Sequence, residues 1–214
     1  MTAEYDAVVM PLPNRVSPFG ELFADPARGL LFGNRGGRIH TGVRTLTRRR
    51  WTSRTWICCV LDFKNRRRRV WGDSYTELFF LDEPTALAAG HRPCFECRRR
   101  DALAFATGWQ RAFGLNDRPR VSAMDETLHR ERLDGRAKRV HALPIAGLPD
   151  GAFVSLGGNA FAVRGRSLLR WTPSGYTARR SRPRGETADV LTPPAILAVL
   201  ASGYGPQWHP SAER

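Results

Sequence analysis

The chain has 214 residues, 42% of them hydrophobic, and carries 34 Lys+Arg against 20 Asp+Glu for a formal net charge of +14. That length and apolar share can bury the core of one ordinary domain or two small ones, which excludes a wholly disordered chain. Apolar runs such as residues 56–61 and 195–201 fall far short of the ~20 residues that span a bilayer, and the start MTAEYDAVVMPLPNR lacks the pattern of an export signal, so a cytoplasmic protein without a membrane partner is expected.

In chain order, residues 1–33 are punctuated by Pro11, Pro13, Pro18, Gly20, Pro26 and Gly29, and read as a loop-rich N-terminal arm. GNRGGRIH, residues 33–40, reads as a tight turn into a short strand. From 55 to 81 the runs TWICCVLDF, RRRVWG and YTELFFL predict two or three antiparallel strands. Asp82 then caps a short helix, with Glu83 and Pro84 in its first turn and Gly90 as its stop. RRRDALAFATGWQRAF predicts an amphipathic helix with Leu103, Phe105 or Ala106, Trp109 and Phe113 at core spacing, and a second helix runs from about 122 to 133 with Ser122 as cap and Asp125 in the capping-box position. Beyond 142 the runs AFVSL, NAFAVRG and SLLRWT predict strands, and TPPAILAVLASGY a last helix capped by Thr192. These segregated blocks predict an α+β fold: an arm over 1–33, a small antiparallel sheet with a Cys-x-x-Cys knuckle and two following helices over 34–140, and a β-rich part over 141–214 ending in a helix.

The charge is local. Residues 34–72 hold twelve basic residues and a single acid, Asp62, and residues 164–184 hold seven arginines and no acid, leaving the rest of the chain at −4. Codon bias accounts for arginine over lysine but not for this clustering, so a phosphate-facing surface is expected. Its candidate residues are Arg48, Arg49, Arg50, Arg66, Arg67, Arg68, Arg69, Arg98, Arg99 and Arg100. Trp51 and Trp56 near the first stretch, and Trp171 near the second, suit either base stacking or core packing.

All four cysteines, Cys58, Cys59, Cys94 and Cys97, fall within forty residues, a pattern that suits a metal site or buried thiols better than disulfides. Cys94 and Cys97 form a Cys-x-x-Cys turn just before a helix start, the geometry of a zinc knuckle. The segment TELFFLDEPTALAAGHRPCFECRRRDA resembles the end of the metal-binding module of the Ada DNA-repair protein and its relatives: an aromatic strand at Phe79-Phe80, a short Ala-rich helix, then Gly90, Arg92-Pro93-Cys94 and Cys97-Arg98. TWICC is similar to that family's upstream strand, so the resemblance covers about residues 50–101. It implies zinc, and it implies that an upstream cysteine, Cys58 or Cys59, accepts a methyl group from DNA phosphotriesters. The family spaces its upstream cysteines four apart, whereas here Cys58 and Cys59 are adjacent and Asp62 stands at the fourth position. Adjacent strand residues face opposite ways, so one of the two joins Cys94 and Cys97, and Asp62, His91 or His40 is the candidate fourth ligand. A metal-free descendant of the fold and thiol redox chemistry are the alternatives.

One further constellation suits metal or acid–base chemistry: Asp125, Glu126 and His129 share a helix, with His141 beyond. A solvated face with Glu126–Arg130 pairing is its alternative. The expected function is nucleic-acid binding through an Ada-like, zinc-binding module. The alternatives are an enzyme on nucleic acid, by alkyl transfer through Cys58 or Cys59 or by metal-dependent hydrolysis at Asp125, Glu126, His129 and His141, and an Arg-rich scaffold for an acidic protein.

Overall fold

The computed structural model describes residues 10–66 and 69–213; Arg67 and Arg68 lie outside the described residues. The elements run β1 (Arg15–Val16), β2 (Leu22–Phe23), β3 (Leu31–Asn34), β4 (Ile57–Val60), β5 (Leu78–Phe80), α1 (Glu83–Ala88), β6 (Arg92–Pro93), α2 (Arg99–Ala112), α3 (Val121–Arg132), β7 (Leu133–Asp134), β8 (Ala137–Lys138), β9 (His141–Pro144), β10 (Phe153–Leu156), β11 (Asn159–Arg164), β12 (Ser167–Thr172), β13 (Gly175–Ser181), β14 (Thr187–Val190) and α4 (Pro194–Ala201). The fold is α+β, with a β-rich C-terminal sheet as expected. None of the described helices is long and apolar enough to cross a membrane.

The first sheet has the order β2-β1-β5-β3-β4-β6 and is mixed rather than antiparallel, since β1 runs parallel to β5 and β4 parallel to β6. Three of its strands come from the segment expected to be a loop-rich arm and its boundary. Most important, β3 lies between β4 and β5, which therefore do not pair with each other. RRRVWG, read as a strand, is instead turn and loop over its described residues. It leads to Trp71, whose φ of 56° lies in the left-handed region that bulky residues avoid.

Alternation decides what each face of this sheet carries. Val16, Leu31, Cys58, Leu78 and Phe80 point to one side and form a buried cluster with Ala86 and Ala89 around α1. Phe32, Phe79 and Cys59, one residue out of phase, face the other side in register, Phe32 opposite Cys59 on β4 and opposite Phe79 on β5.

The second sheet, β13-β12-β11-β10-β14-β9, is antiparallel throughout. α2, α3 and α4 share a core of Phe105, Trp109, Met124, Leu128, Ile196 and Val199. Phe113, expected to join this core from α2, is instead exposed. α1, buried along its whole length, fastens the N-terminal half to the C-terminal tail through two carboxylates. Asp82 caps Thr85 N–H at 3.0 Å and accepts from Tyr176 Oη at 2.8 Å; burial raises its pKa, against the hydrogen bonds from Thr85, Tyr176 and His209. Glu83 accepts from Arg98 at 2.8 Å, from Tyr204 Oη at 2.6 Å and from Gln207 N–H at 2.8 Å. Thr192, expected to cap α4, instead accepts from Phe153 N–H and ties α4 to β10.

Candidate metal centre and the cavity beside it

Three of the four cysteines converge. Each of Cys59, Cys94 and Cys97 contributes a sulfur, and the three sulfurs lie within 4.8 Å of one another. Cys59 comes from β4. The other two come from the turn after β6, which is held against β4 by Cys94 N–H donating to the Cys58 carbonyl at 3.0 Å, while Arg98 N–H donates to the Cys94 carbonyl and closes the turn into α2. All four cysteines are free thiols. Hydrogen bonds from Cys59 and Cys97, then the Cys97 and Glu96 amides, outweigh burial and hold the Cys94 thiol far below the ordinary thiol range. Cys59 is raised because its hydrogen bonds to Cys94 and Cys97 keep its proton, and burial adds to this.

The set fits a metal ion. Thiolates bound tetrahedrally at ~2.3 Å are separated by about 4 Å, which is compatible with three sulfurs that all lie within 4.8 Å of one another, and an amide donating to a ligand sulfur, as Glu96 N–H does to Cys94 Sγ at 3.4 Å, is an expected supporting contact. Three protein ligands leave one coordination position that this cluster does not fill.

Cys58 is not part of the cluster. It is fully buried on the opposite face of β4, where Arg98 Nη1 donates to its sulfur at 3.2 Å, and burial pushes its thiol up to about 12 despite that charge. The proposed fourth ligands also stand elsewhere. Asp62 is exposed and outside the cluster. His40 bonds to Thr76 Oγ1 at 2.7 Å and the Gly72 carbonyl at 2.9 Å and stacks on Trp71. His91 is buried between Trp56 and Phe80, with Arg35 Nε donating to its Nε2 at 3.4 Å. Burial first, and then the charges of Arg35 and Arg132, hold His91 well below the usual imidazole range.

The helical acid–histidine constellation does not converge either. Asp125 forms no capping box: it is buried in a bidentate pair with Arg92, at 2.7 and 2.8 Å, and accepts from Thr55 Oγ1 at 2.8 Å. Glu126 pairs with Arg54 on the surface, His129 Nδ1 meets Arg132, and His141 meets the Glu131 carbonyl. Each of these side chains thus has its own separate partner, and the four form no ligand group among the described residues.

The arginines divide by burial. Arg98, expected on a phosphate-facing surface, is buried in pairs with Glu83 and Asp101, both at 2.8 Å. Arg66 is exposed but bound to Glu96 at 2.7 Å, beside the cysteine turn. Arg48, Arg49, Arg50, Arg69, Arg99 and Arg100 are exposed. Trp56 is a core anchor, with the guanidinium carbons of Arg35 and Arg132 at 4.1 and 3.9 Å from its ring centroid. In the second basic stretch, Arg182 is spent on the carbonyls of Ile145, Ala146 and Leu148, and Arg164 covers Trp208.

The cysteine cluster forms one end of a cavity of about 630 Å³ over the open face of the first sheet. Its floor carries Phe32 and Phe79, Tyr75 lies nearly parallel to Phe32 with ring centroids 6.5 Å apart, and Arg15, Arg28 and Glu77 also line it. These residues carry no motif, although the period-two alternation in LLFGN and ELFF marks Phe32 and Phe79 as facing away from the core. No known protein family, curated protein or solved structure matches the chain, so the likeness to Ada rests on the cysteine segment itself.

Proposed function

We propose that this is a nucleic-acid-binding protein that holds a zinc ion on Cys59, Cys94 and Cys97. The carrying observation is the convergence of three free thiols from two separate segments, with the exposed Arg99 and Arg100 immediately after the cysteine turn. Thiolate donors favour zinc among the common divalent ions, and zinc would fasten the turn to β4 as a structural clamp. Arg48 to Arg50, Arg69, Arg99 and Arg100 would supply the phosphate contacts, with Arg66 joining them when it leaves Glu96.

Elemental analysis of purified protein tests the first half: one zinc per chain, lost in Cys94→Ser. Binding to a labelled oligonucleotide across a salt series tests the second, with a log–log slope of roughly one unit per phosphate contact. Absence of binding to DNA and RNA at low salt refutes it, and salt-sensitive capture of an acidic protein alone would instead support the scaffold reading.

The position of Cys59 favours a second reading, methyl transfer as the resemblance implies. Its sulfur reaches both the cluster and the cavity, whereas Cys58 reaches neither. The Cys59 thiolate would form an S–CH₃ bond as the methyl–oxygen bond of a phosphotriester breaks, with the electron pair leaving as a phosphodiester anion. A +14 Da adduct on Cys59 after incubation with methylated DNA is the expected outcome; an unmodified thiol refutes this reading without touching the first.

A further inference from the structure

We propose that the cavity over the first sheet is a nucleotide site, built for a guanine-type base that carries a 5′-phosphate. Three features define that chemistry, and none belongs to the exposed arginines discussed above.

The first is an aromatic floor. Phe32 and Phe79 lie side by side on neighbouring strands, with ring centroids 6.4 Å apart and planes tilted by 44°, and Tyr75 lies within 15° of the Phe32 plane. Half-buried aromatic rings along one wall suit a planar heterocycle, and a cavity of about 630 Å³ is within the range of small-molecule sites.

The second is an unspent acceptor. Glu77 lies in the cavity wall and is 5% exposed. Its Oε2 accepts from Trp71 N–H at 2.8 Å, while its Oε1 is buried without a hydrogen-bond partner among the described residues. Trp71 grips the residue a second time, Nε1 donating to the Glu77 carbonyl at 3.0 Å, and does so from a left-handed backbone conformation. A buried carboxylate oxygen left without a donor is costly, and strain that fixes such a group is a mark of functional sites. An ionised carboxylate accepts only, so its complement is an edge of N–H donors. Guanine offers two adjacent donors on its pairing edge, at N1 and N2, whereas adenine offers one amino group beside a ring acceptor.

The third is a cationic rim. The Arg15 guanidinium lies over the Phe79 ring at 5.1 Å, and Arg28 lines the same cavity. Their charges oppose each other, although Arg15 feels burial and Asp25 more strongly. An anion placed between them relieves that repulsion. Arg15 is level with Phe79 on the adjacent strand, and Glu77 lies two residues, about 7 Å, from Phe79. Base edge and phosphate thus have separate partners at different positions along one floor.

The site could take a free nucleotide or one residue of a strand; the recognition chemistry is the same. Only the second source rests on the nucleic-acid reading above. Calorimetry with the full chain, as purified with its metal, decides the matter. GMP binds saturably, and AMP binds about tenfold more weakly or worse. Glu77→Gln abolishes the preference for guanine, while Arg28→Ala, at an exposed position, weakens GMP but not guanosine and so narrows the gap between them. Competition then separates the sources: a single strand with one guanine that displaces GMP, where its adenine counterpart does not, marks a strand residue, and displacement by neither marks the free nucleotide. The proposal is overturned if GMP shows no saturation up to about 10 mM and no guanine-dependent competition occurs. It is equally overturned if folded Glu77→Gln keeps the full preference, or, should that variant not fold, if Arg28→Ala leaves GMP binding unchanged. Salt-dependent oligonucleotide binding through the exposed arginines can persist in each of these results, so the two readings fail separately.

Discussion

Asp125 was attractive as a catalytic or metal-binding carboxylate, and the structure instead makes it the counter-charge of a buried cation. The perturbation is Asp125→Asn. Arg92 and Asp125 have side chains only 3% and 5% exposed, and both contacts of the guanidinium to the carboxylate are short and parallel. Removing the negative charge leaves Arg92 buried and unpaired, a change that costs about 3–5 kcal/mol. A second effect runs in the same direction. Burial and the neighbouring Arg35 hold Arg132 down to about 9, and Asp125 opposes that shift. Because the amide keeps one acceptor oxygen for Thr55, the lower end, about 3 kcal/mol, is expected. Urea unfolding followed by tryptophan fluorescence measures it; with a slope near 2 kcal/mol per molar, the midpoint falls by about 1.5 M. Glu126→Ala is the control. Its pair with Arg54 has side chains 53% and 61% exposed, so its loss costs less than about 1 kcal/mol. A cost for Asp125→Asn no larger than that of Glu126→Ala would refute the structural assignment and return Asp125 to the candidates for chemistry.

Other outcomes follow from the same reasoning. Cys58→Ala leaves one metal per chain while Cys59→Ser removes it, measured by elemental analysis; equal loss in both refutes the separation of the two thiols by strand face. Burial lowers the pKa of His91, so between pH 6.5 and its depressed native value the unfolded chain binds the extra proton and stability falls as pH drops. From pH 6.5 to 5.5 the parent should lose about 1 kcal/mol more than His91→Phe, which keeps a ring between Trp56 and Phe80; parallel unfolding curves at the two pH values would count against this. A Cβ at Gly29 would meet the Phe80 carbonyl oxygen at 1.8 Å, whereas one at Gly42 meets nothing within 4 Å. Gly29→Ala therefore costs about 2–3 kcal/mol and Gly42→Ala close to zero by thermal unfolding, and equal effects would show that the loop before β3 can move aside.

Legibility in the sequence followed the range of the interaction. The Asp82 cap and the Gly90 stop were legible because cap and helix are neighbours in the chain, and Cys94 with Cys97 because one turn brings them together. The choice between Cys58 and Cys59 was legible as an alternation, but its sign depended on which face α1 covers. What could not be read was non-local. Nothing near ICCV or LFF announces that β3, from an unpromising Pro/Gly-rich segment, inserts between them. Asp125 carried the local signature of a capping box with Ser122, yet α3 already starts at Val121, with Arg120 in the cap position and Ser122 inside the helix, and Asp125 takes a charged bidentate bond from Arg92 instead. Arg98 looked like one of three surface cations, and two buried or partly buried carboxylates claimed it.

The parallel pair β4–β6 sits at the rim of the first sheet, and β6 is only two residues long. A border strand that short brings few ladder bonds, and if it frays, the longer β4 behind it becomes the edge that a foreign strand would pair with. The cysteine cluster joins this border: one sulfur comes from β4 and two from the turn that follows β6. An ion there would act as a rivet at the hem of the sheet. It would convert a weak seam into one that opens only when the metal leaves, and it would couple metal occupancy to resistance against edge-to-edge aggregation.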